Sequence, residues 1–248
     1  MANTQDRPFS ILECPSGTLL YDFDNRVILK MWSAGTVKFT EEPFTLSGGG
    51  KSHFYFGGRE DVTDDPRLLQ MLGDKVRRVV YRECNEADQC PCLIAIPTVA
   101  TAIAVAASLV GLGQLLNLGN PVRSVALLAR VMREAQKIHG ANQKCWVNGK
   151  PSPNHTYWLF DNVVTEGGSI FDALSKLDQD GYQTANMPIL VVVDREQGGF
   201  NTLRAQGFER LYSCYKLRDI VFALVEHGTW PRDYLKALED ELQLPVTV

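Results

Sequence analysis

The sequence predicts an α/β fold, a central parallel sheet flanked by helices, and three observations predict it. Four apolar runs, Leu93 to Ile96, Val125 to Ala129, Thr156 to Phe160 and Ile189 to Val193, are each the length of a strand. Helical patterns at Ala100 to Val110 and Ile170 to Leu177 fall between them, the alternation of a parallel sheet covered on both faces. The third run passes an acidic tip at Asp161 into a small-residue turn, Thr165-Glu166-Gly167-Gly168-Ser169, that opens a helix. Beyond the carboxyl end of a strand is where doubly wound sheets bind ligands.

The remaining elements follow in order. Asp65-Pro66 starts a helix whose apolar residues, Leu68, Leu69, Leu72, Val76 and Val79, share one face. Before it, Phe44-Thr45-Leu46 and Lys51-Ser52-His53-Phe54-Tyr55-Phe56 read as two strands joined by a glycine turn. Gly140 to Pro153 is polar, holds Asn148-Gly149 and two prolines, and reads as a long surface loop. Lys216 to Val225 and Trp230 to Leu242 read as helices, the second with Thr229 as its cap before Pro231.

Composition narrows the function classes. A chain of 248 residues with 45% hydrophobic content can bury one substantial core. Residues 26–248 are therefore read as a single domain preceded by an extension, 1–25. The net charge of −4 and the lack of a basic stripe exclude a general nucleic-acid binder, so any anion site is local. Met1 to Ser10 has no apolar core of a secretory signal, and a cytoplasmic location is expected. The uncharged run from Gln89 to Val122 is punctuated by Pro97, Gly111, Gly113, Gly119 and Pro121 and reads as a buried strand and helix, not a membrane span. The six cysteines are expected to be reduced. Cys84, Cys90 and Cys92 lack the spacing of a zinc knuckle, and no direct metal site is expected.

The turn after Asp161 has the chemistry of a phosphate cradle. Two glycines let the backbone approach an anion, the amides of Thr165 to Ser169 point at it, and the helix N-terminus adds a favourable dipole. A carboxylate above such a nest suits a sugar phosphate, whose hydroxyls donate to the acid. Gly50-Lys51-Ser52 is not a nucleotide-binding P-loop. Thr45 stands where that motif needs glycine, and a strand pattern follows where it needs a helix.

The cradle, Phe44-Thr45-Leu46 with Lys51-Ser52, the segment Arg133-Glu134-Ala135-Gln136-Lys137-Ile138-His139-Gly140 and the strand end Val193-Asp194-Arg195-Glu196 together resemble orotate phosphoribosyltransferase. They occur in that family's order and approximate spacing, from roughly Val27 to Leu224. The resemblance implies a type I phosphoribosyltransferase fold with a small hood, containing a β-hairpin, built from N-terminal and C-terminal segments. It implies transfer of the phosphoribosyl group from phosphoribosyl pyrophosphate to orotate, with release of pyrophosphate, by a homodimer in pyrimidine synthesis. Asp161 and Asn162 would hold the ribose hydroxyls, and Val163, Val164, Thr165, Glu166, Gly167, Gly168 and Ser169 would wrap the 5′-phosphate. Arg133, Lys137 and His139 would close over pyrophosphate from a mobile loop, often supplied across a dimer interface in this family, with Lys137 the main catalytic loop residue. Arg195, Thr165, Phe54, Tyr55 and Lys51 would form the orotate side, and magnesium would ride on the substrate.

Several positions depart from the family pattern. Asn162 stands in place of a second acid, Glu134 in place of a lysine, Ala100 and Thr101 in place of a polar residue and a glycine, and Ser47 in place of a hairpin lysine. Glu166 adds a negative side chain to the cradle. Three readings therefore stay open: an orotate enzyme, a transferase for another base, or a non-catalytic phosphoribosyl-ligand-binding or regulatory protein. Blander roles stay open too. Asp161 can cap the following helix, His139 can be a solvated loop residue, and Arg195 can pair with Asp194 or Glu196 on the surface. Phe54, Tyr55 and Phe56 can be core in part, and Trp146 can be a lid residue or a dimer contact.

Overall fold

A computed structural model describes residues 11–46, 49–57, 62–84, 90–117, 126–136 and 145–243. The chain divides into two compact units, Met1–Gly57 with Tyr215–Val248, and Gly58–Cys214.

The first unit begins with the short antiparallel pair β1 (Leu12–Glu13) and β2 (Leu19–Leu20), followed by α1 (Asp22–Ser33). Helix α1 buries Val27, Ile28 and Met31 along one stripe. The hairpin predicted around the glycine turn is present as β3 (Val37–Thr45) and β4 (Lys51–Phe56), antiparallel, with its first strand starting well before Phe44.

The second unit opens with α2 (Pro66–Glu83), capped as predicted by Asp65, whose side chain accepts from the Leu68 amide at 3.0 Å. Strand β5 (Pro91–Ala95), helix α3 (Val99–Asn117), strand β6 (Leu128–Val131) and strand β7 (Thr156–Val164) follow. Helix α4 (Gly168–Gln179), strand β8 (Ile189–Asp194), helix α5 (Gly199–Ala205) and strand β9 (Leu211–Lys216) complete it. The five strands are ordered β6-β5-β7-β8-β9, with β6, β5, β7 and β8 in parallel register. Every residue of β5 and of β8 is buried, which explains why these strands read as unbroken apolar runs. Ile94, Leu159 and Val191 belong to the core cluster of one sheet face, together with Ile170, Ala173 and Leu177 of α4. By strand alternation Leu93, Trp158, Phe160 and Val192, all fully buried, serve the other face. Helices α2 and α3 pack together closely at Gly73, where a Cβ would sit 2.8 Å from the Ala106 carbonyl carbon.

After β9 the chain re-enters the first unit as α6 (Leu217–Glu226) and α7 (Arg232–Leu242). These are tied by a buried Arg218–Glu239 ion pair at 2.7 Å. Thr229 does not cap α7. The helix starts at Arg232 and not at Trp230, with Pro231 at the cap position and no side-chain bond there, because the Thr229 and Trp230 amides both donate to the Leu224 carbonyl and keep these residues in the preceding turn. Among the described residues no helix is long and apolar enough to cross a membrane.

Candidate active site

Strand β7 runs four residues further than its apolar run suggests. Asp161 pairs with Val191, Val163 with Val193 and Val164 with Asp194, so Asp161 lies within the strand and not at its tip. The extension is paid for by pairing with β8, which a reading of one segment does not include. Val164 is buried in the core cluster, so only its backbone is available to the site.

The cradle itself is as the residues dictate. Gly167 holds φ 93° and ψ 5° at the N-cap of α4, a left-handed conformation that glycine adopts without a steric penalty. No side chain caps this helix; the Ile170 amide turns back onto the Gly167 carbonyl at 3.1 Å, which leaves the amides before it for an external acceptor. Gly168, Ser169 and Glu166 are exposed and Thr165 is half-buried, so the cradle is open to solvent. Behind it, Gly199 presses on the loop so closely that a Cβ there would lie 2.5 Å from the Thr165 carbonyl oxygen.

Asp161 is only 5% exposed. One carboxylate oxygen accepts from the Asn162 amide at 2.8 Å and the other from the Ser169 hydroxyl at 3.1 Å. The helix-cap role is thus replaced by a side-chain bond to the second residue of α4, linking strand and cradle. Burial pushes the Asp161 carboxyl up to about 6, and the two hydrogen bonds oppose that rise without cancelling it. A desolvated acid beside an anion nest is a mark of a functional site.

Arg195 is 2% exposed and so lies beneath the surface. Its amide donates to the Val164 carbonyl at 3.1 Å and its Nε to Gln197 at 3.2 Å. Ala100 is fully buried and Thr101 half-buried at the start of α3.

Arg133 is held by the segment that returns from Gly140 to Pro153. Its amide donates to the Trp146 carbonyl at 2.7 Å and its guanidinium to the Asn148 side chain. That segment is not wholly a surface loop. Val147 is fully buried and bridges to Met132, and Trp146 packs against the core cluster with its indole nitrogen on Gln179 at 3.0 Å. Lys137, His139 and Ser47 lie outside the described residues.

The residues expected on the base side divide by the alternation of β4. Lys51 and Tyr55 are exposed, whereas Phe54 is fully buried, edge-on to Phe39 at 5.3 Å and near Trp230 at 6.2 Å. Phe54 is therefore core and not a wall of a base pocket, because odd and even residues of a strand face opposite sides. The second unit brings together Asp161, Asn162 and the cradle; Lys51 and Tyr55 belong to the first.

Two features escaped the sequence reading. The turn after β8 repeats the cradle's glycine device at Gly198, a signal available in Asp194 followed by Gly198-Gly199. The side chain of Asp180 accepts from two amides of the returning segment, for which no local signal exists. A cavity of about 620 Å³, lined among others by Pro151, His155, Met187 and Arg210, opens at the amino ends of β7 and β8, the sheet edge opposite the cradle. The buried thiols of Cys14 and Cys92 are pushed up to about 12 and about 11, burial being the main cause, so neither is a nucleophile at neutral pH.

A parallel sheet whose central strand carries a buried acid into an uncapped glycine cradle defines the type I phosphoribosyltransferase fold. No family model matches the chain. It is 29% identical over 187 residues to orotate phosphoribosyltransferase of Aquifex aeolicus, across 75% of this chain and 91% of that protein. It is 27% identical over 221 residues to uridine 5′-monophosphate synthase of Caenorhabditis elegans, across 89% of this chain and 40% of that one. In fold it is similar to the structure of Leishmania donovani UMP synthase, with a TM-score of 0.68 and 17% identity over 88% of this chain and 42% of that chain. Orotate phosphoribosyltransferases are thus similar to the chain at 24% to 29% identity over about three quarters of its length.

Proposed function

We propose that this chain transfers the 5-phosphoribosyl group of phosphoribosyl pyrophosphate to orotate in pyrimidine nucleotide synthesis, acting in the cytoplasm as a homodimer. The observation that carries this reading is the buried Asp161 carboxylate bonded to Ser169 in the first turn of the uncapped helix α4. Relatives named for orotate transfer, matched along 85% to 91% of their own lengths, support the choice of base.

In the reaction the bond from C1′ to pyrophosphate breaks, its electron pair leaving with pyrophosphate. A ring nitrogen of orotate closes the new C–N bond and sheds its proton. Positive charge gathers on the ribose and negative charge on the leaving group, and each is stabilised by a preorganised counter-charge. The cradle amides and the α4 dipole hold the 5′-phosphate. Asp161, once ionised, accepts from the ribose hydroxyls and faces the developing cation, with Asn162 adding a neutral hydrogen-bonding group. Arg133, Lys137 and His139 meet the pyrophosphate, and Arg195 serves the base side. Magnesium would come with the substrate phosphates and would help to neutralise their charge, with no direct ligand from this chain.

A second reading, a non-catalytic phosphoribosyl-ligand-binding protein, is favoured by Asn162 and Ala100, which remove charge and polarity where the family pattern has them. One assay separates the two: purified protein with magnesium, phosphoribosyl pyrophosphate and orotate, following loss of orotate absorbance, with uracil and purine bases in parallel. Orotate turnover that Lys137→Ala abolishes is expected. Binding of phosphoribosyl pyrophosphate without turnover of any base would establish the second reading instead.

A further inference from the structure

Helix α4 carries the cradle at its first residue, and at its other end it grips the segment that holds Arg133. Asp180, the C-cap residue, accepts with a single carboxylate oxygen from the amides of both Trp146 and Val147, each at 2.7 Å. Charge-assisted bonds of this length are among the stronger ones a backbone amide makes. Around them the same helix adds Gln179, which accepts from the Trp146 indole at 3.0 Å, and Lys176, whose ammonium lies 4.8 Å from the Trp146 ring centre. Val147 is fully buried between these contacts and Met132.

The gripped residues are the ones that hold Arg133. The Trp146 carbonyl accepts from the Arg133 amide at 2.7 Å, the Asn148 amide donates to Val131 at 3.1 Å, and the Asn148 side chain accepts from the Arg133 guanidinium. A second clasp lies just downstream. Arg130 donates to the Lys150 carbonyl at 2.8 Å and to the Tyr182 hydroxyl at 2.6 Å, and Tyr182 donates to the Gly149 carbonyl at 2.9 Å.

We propose that Asp180 is a positioning residue: through Trp146, Val147 and Asn148 it fixes the Arg133 guanidinium in place for the pyrophosphate. The inference rests on the transferase reading for what Arg133 does, and on geometry alone for how it is held. The contribution appears in kcat, because pyrophosphate gains charge only as it leaves.

The test uses Asp180→Ala, Asp180→Asn, Asn148→Ala and Arg133→Ala, singly and with Asp180→Ala combined with Arg133→Ala. Turnover and the affinity for magnesium pyrophosphate are both measured. Asp180→Ala is expected to lower kcat about tenfold with KM for phosphoribosyl pyrophosphate within about twofold, and Asp180→Asn, which keeps an acceptor oxygen, to restore most of it. The double variant is expected to be no worse than Arg133→Ala alone, because both act through one group. Asn148→Ala, at an exposed position, is expected to reproduce the loss should Asp180→Ala fail to fold. Effects of Asp180→Ala and Arg133→Ala that multiply, or an Asn148→Ala protein with unchanged kcat and pyrophosphate affinity, would overturn the proposal. Absence of turnover in the unchanged protein would overturn the transferase reading, while loss of pyrophosphate affinity in Asp180→Ala to the level of Arg133→Ala would still uphold the positioning role.

Discussion

The turns that leave β7 and β8 use the same backbone device for different work. A buried aspartate precedes each, Asp161 inside β7 at 5% exposure and Asp194 at the end of β8 at 8%, and each turn ends in a glycine at φ 93° that caps the next helix without a side chain. The first opens a helix of twelve residues and stays exposed at Glu166, Gly168 and Ser169. The second opens a helix of seven and closes inward, with Gly199 and Phe200 buried and the Asp194 carboxylate accepting from its own loop at the Glu196 amide. The same local conformation thus yields a turn open to solvent after β7 and one closed against protein after β8. Exposure, not the glycine, decides which.

The comparison breaks most visibly at Asp161. Asp161→Asn is expected to lower kcat/KM by a hundredfold or more, on the order of 3 kcal/mol, as for loss of one preorganised electrostatic group. Because the Asp161 carboxyl is raised to about 6, kcat/KM for phosphoribosyl pyrophosphate is expected to fall as pH drops below that value. Stability runs the other way. A folded pKa above the unfolded 3.8 makes the ionised acid a penalty, absent below the unfolded value and complete above the folded one. Between about pH 3.5 and 7.5, urea unfolding of Asp161→Asn and the unchanged protein is expected to shift in the variant's favour by about 3 kcal/mol. An unchanged difference across that range would show that the acid is not desolvated.

Gly199→Ala comes next. Its Cβ would meet backbone at 2.5 Å, where no side chain can give way, and a loss of about 2 to 3 kcal/mol in the unfolding free energy is expected. Because the atom struck is the Thr165 carbonyl oxygen, phosphate affinity at the cradle should fall as well.

Gly167→Ala and Gly198→Ala form the sharpest pair. Both place a side chain at φ 93°, and each is expected to cost about 1 to 2 kcal/mol of stability. Only Gly167→Ala should weaken phosphoribosyl pyrophosphate binding measured by calorimetry. Equal losses in binding would mean that the two turns serve the ligand together. The smallest effect belongs to Glu166→Gln. The side chain is exposed and its repulsion screened, so affinity is expected to rise only about twofold at low salt and to merge with the unchanged protein at high salt.

What could be read before folding was what neighbours along the chain impose on one another. Asp65 caps α2 because its partner is three residues away, and the cradle forms because an apolar run meets two glycines before a helix. The buried strands β5 and β8 were legible for the same reason. Phe54 was not, since the choice between base wall and core depends on which side of the hairpin faces the rings of Phe39 and Trp230. Nor was the length of β7, which its pairing with β8 extends past Asp161. The polar composition of Gly140 to Pro153 concealed Val147, whose burial depends on Met132 and on the core cluster.

The sequence by itself determined the parallel α/β order, the cradle and the acid beside it, because dihedral preferences and hydrophobic period act over a few residues. Only the tertiary structure decided that this acid is desolvated enough to rise to about 6. It alone decided that the cradle's helix reaches across 33 and 34 positions of chain to hold the segment bearing on Arg133. Burial and partnership at that separation are set by the packing of whole elements, which no window of sequence contains.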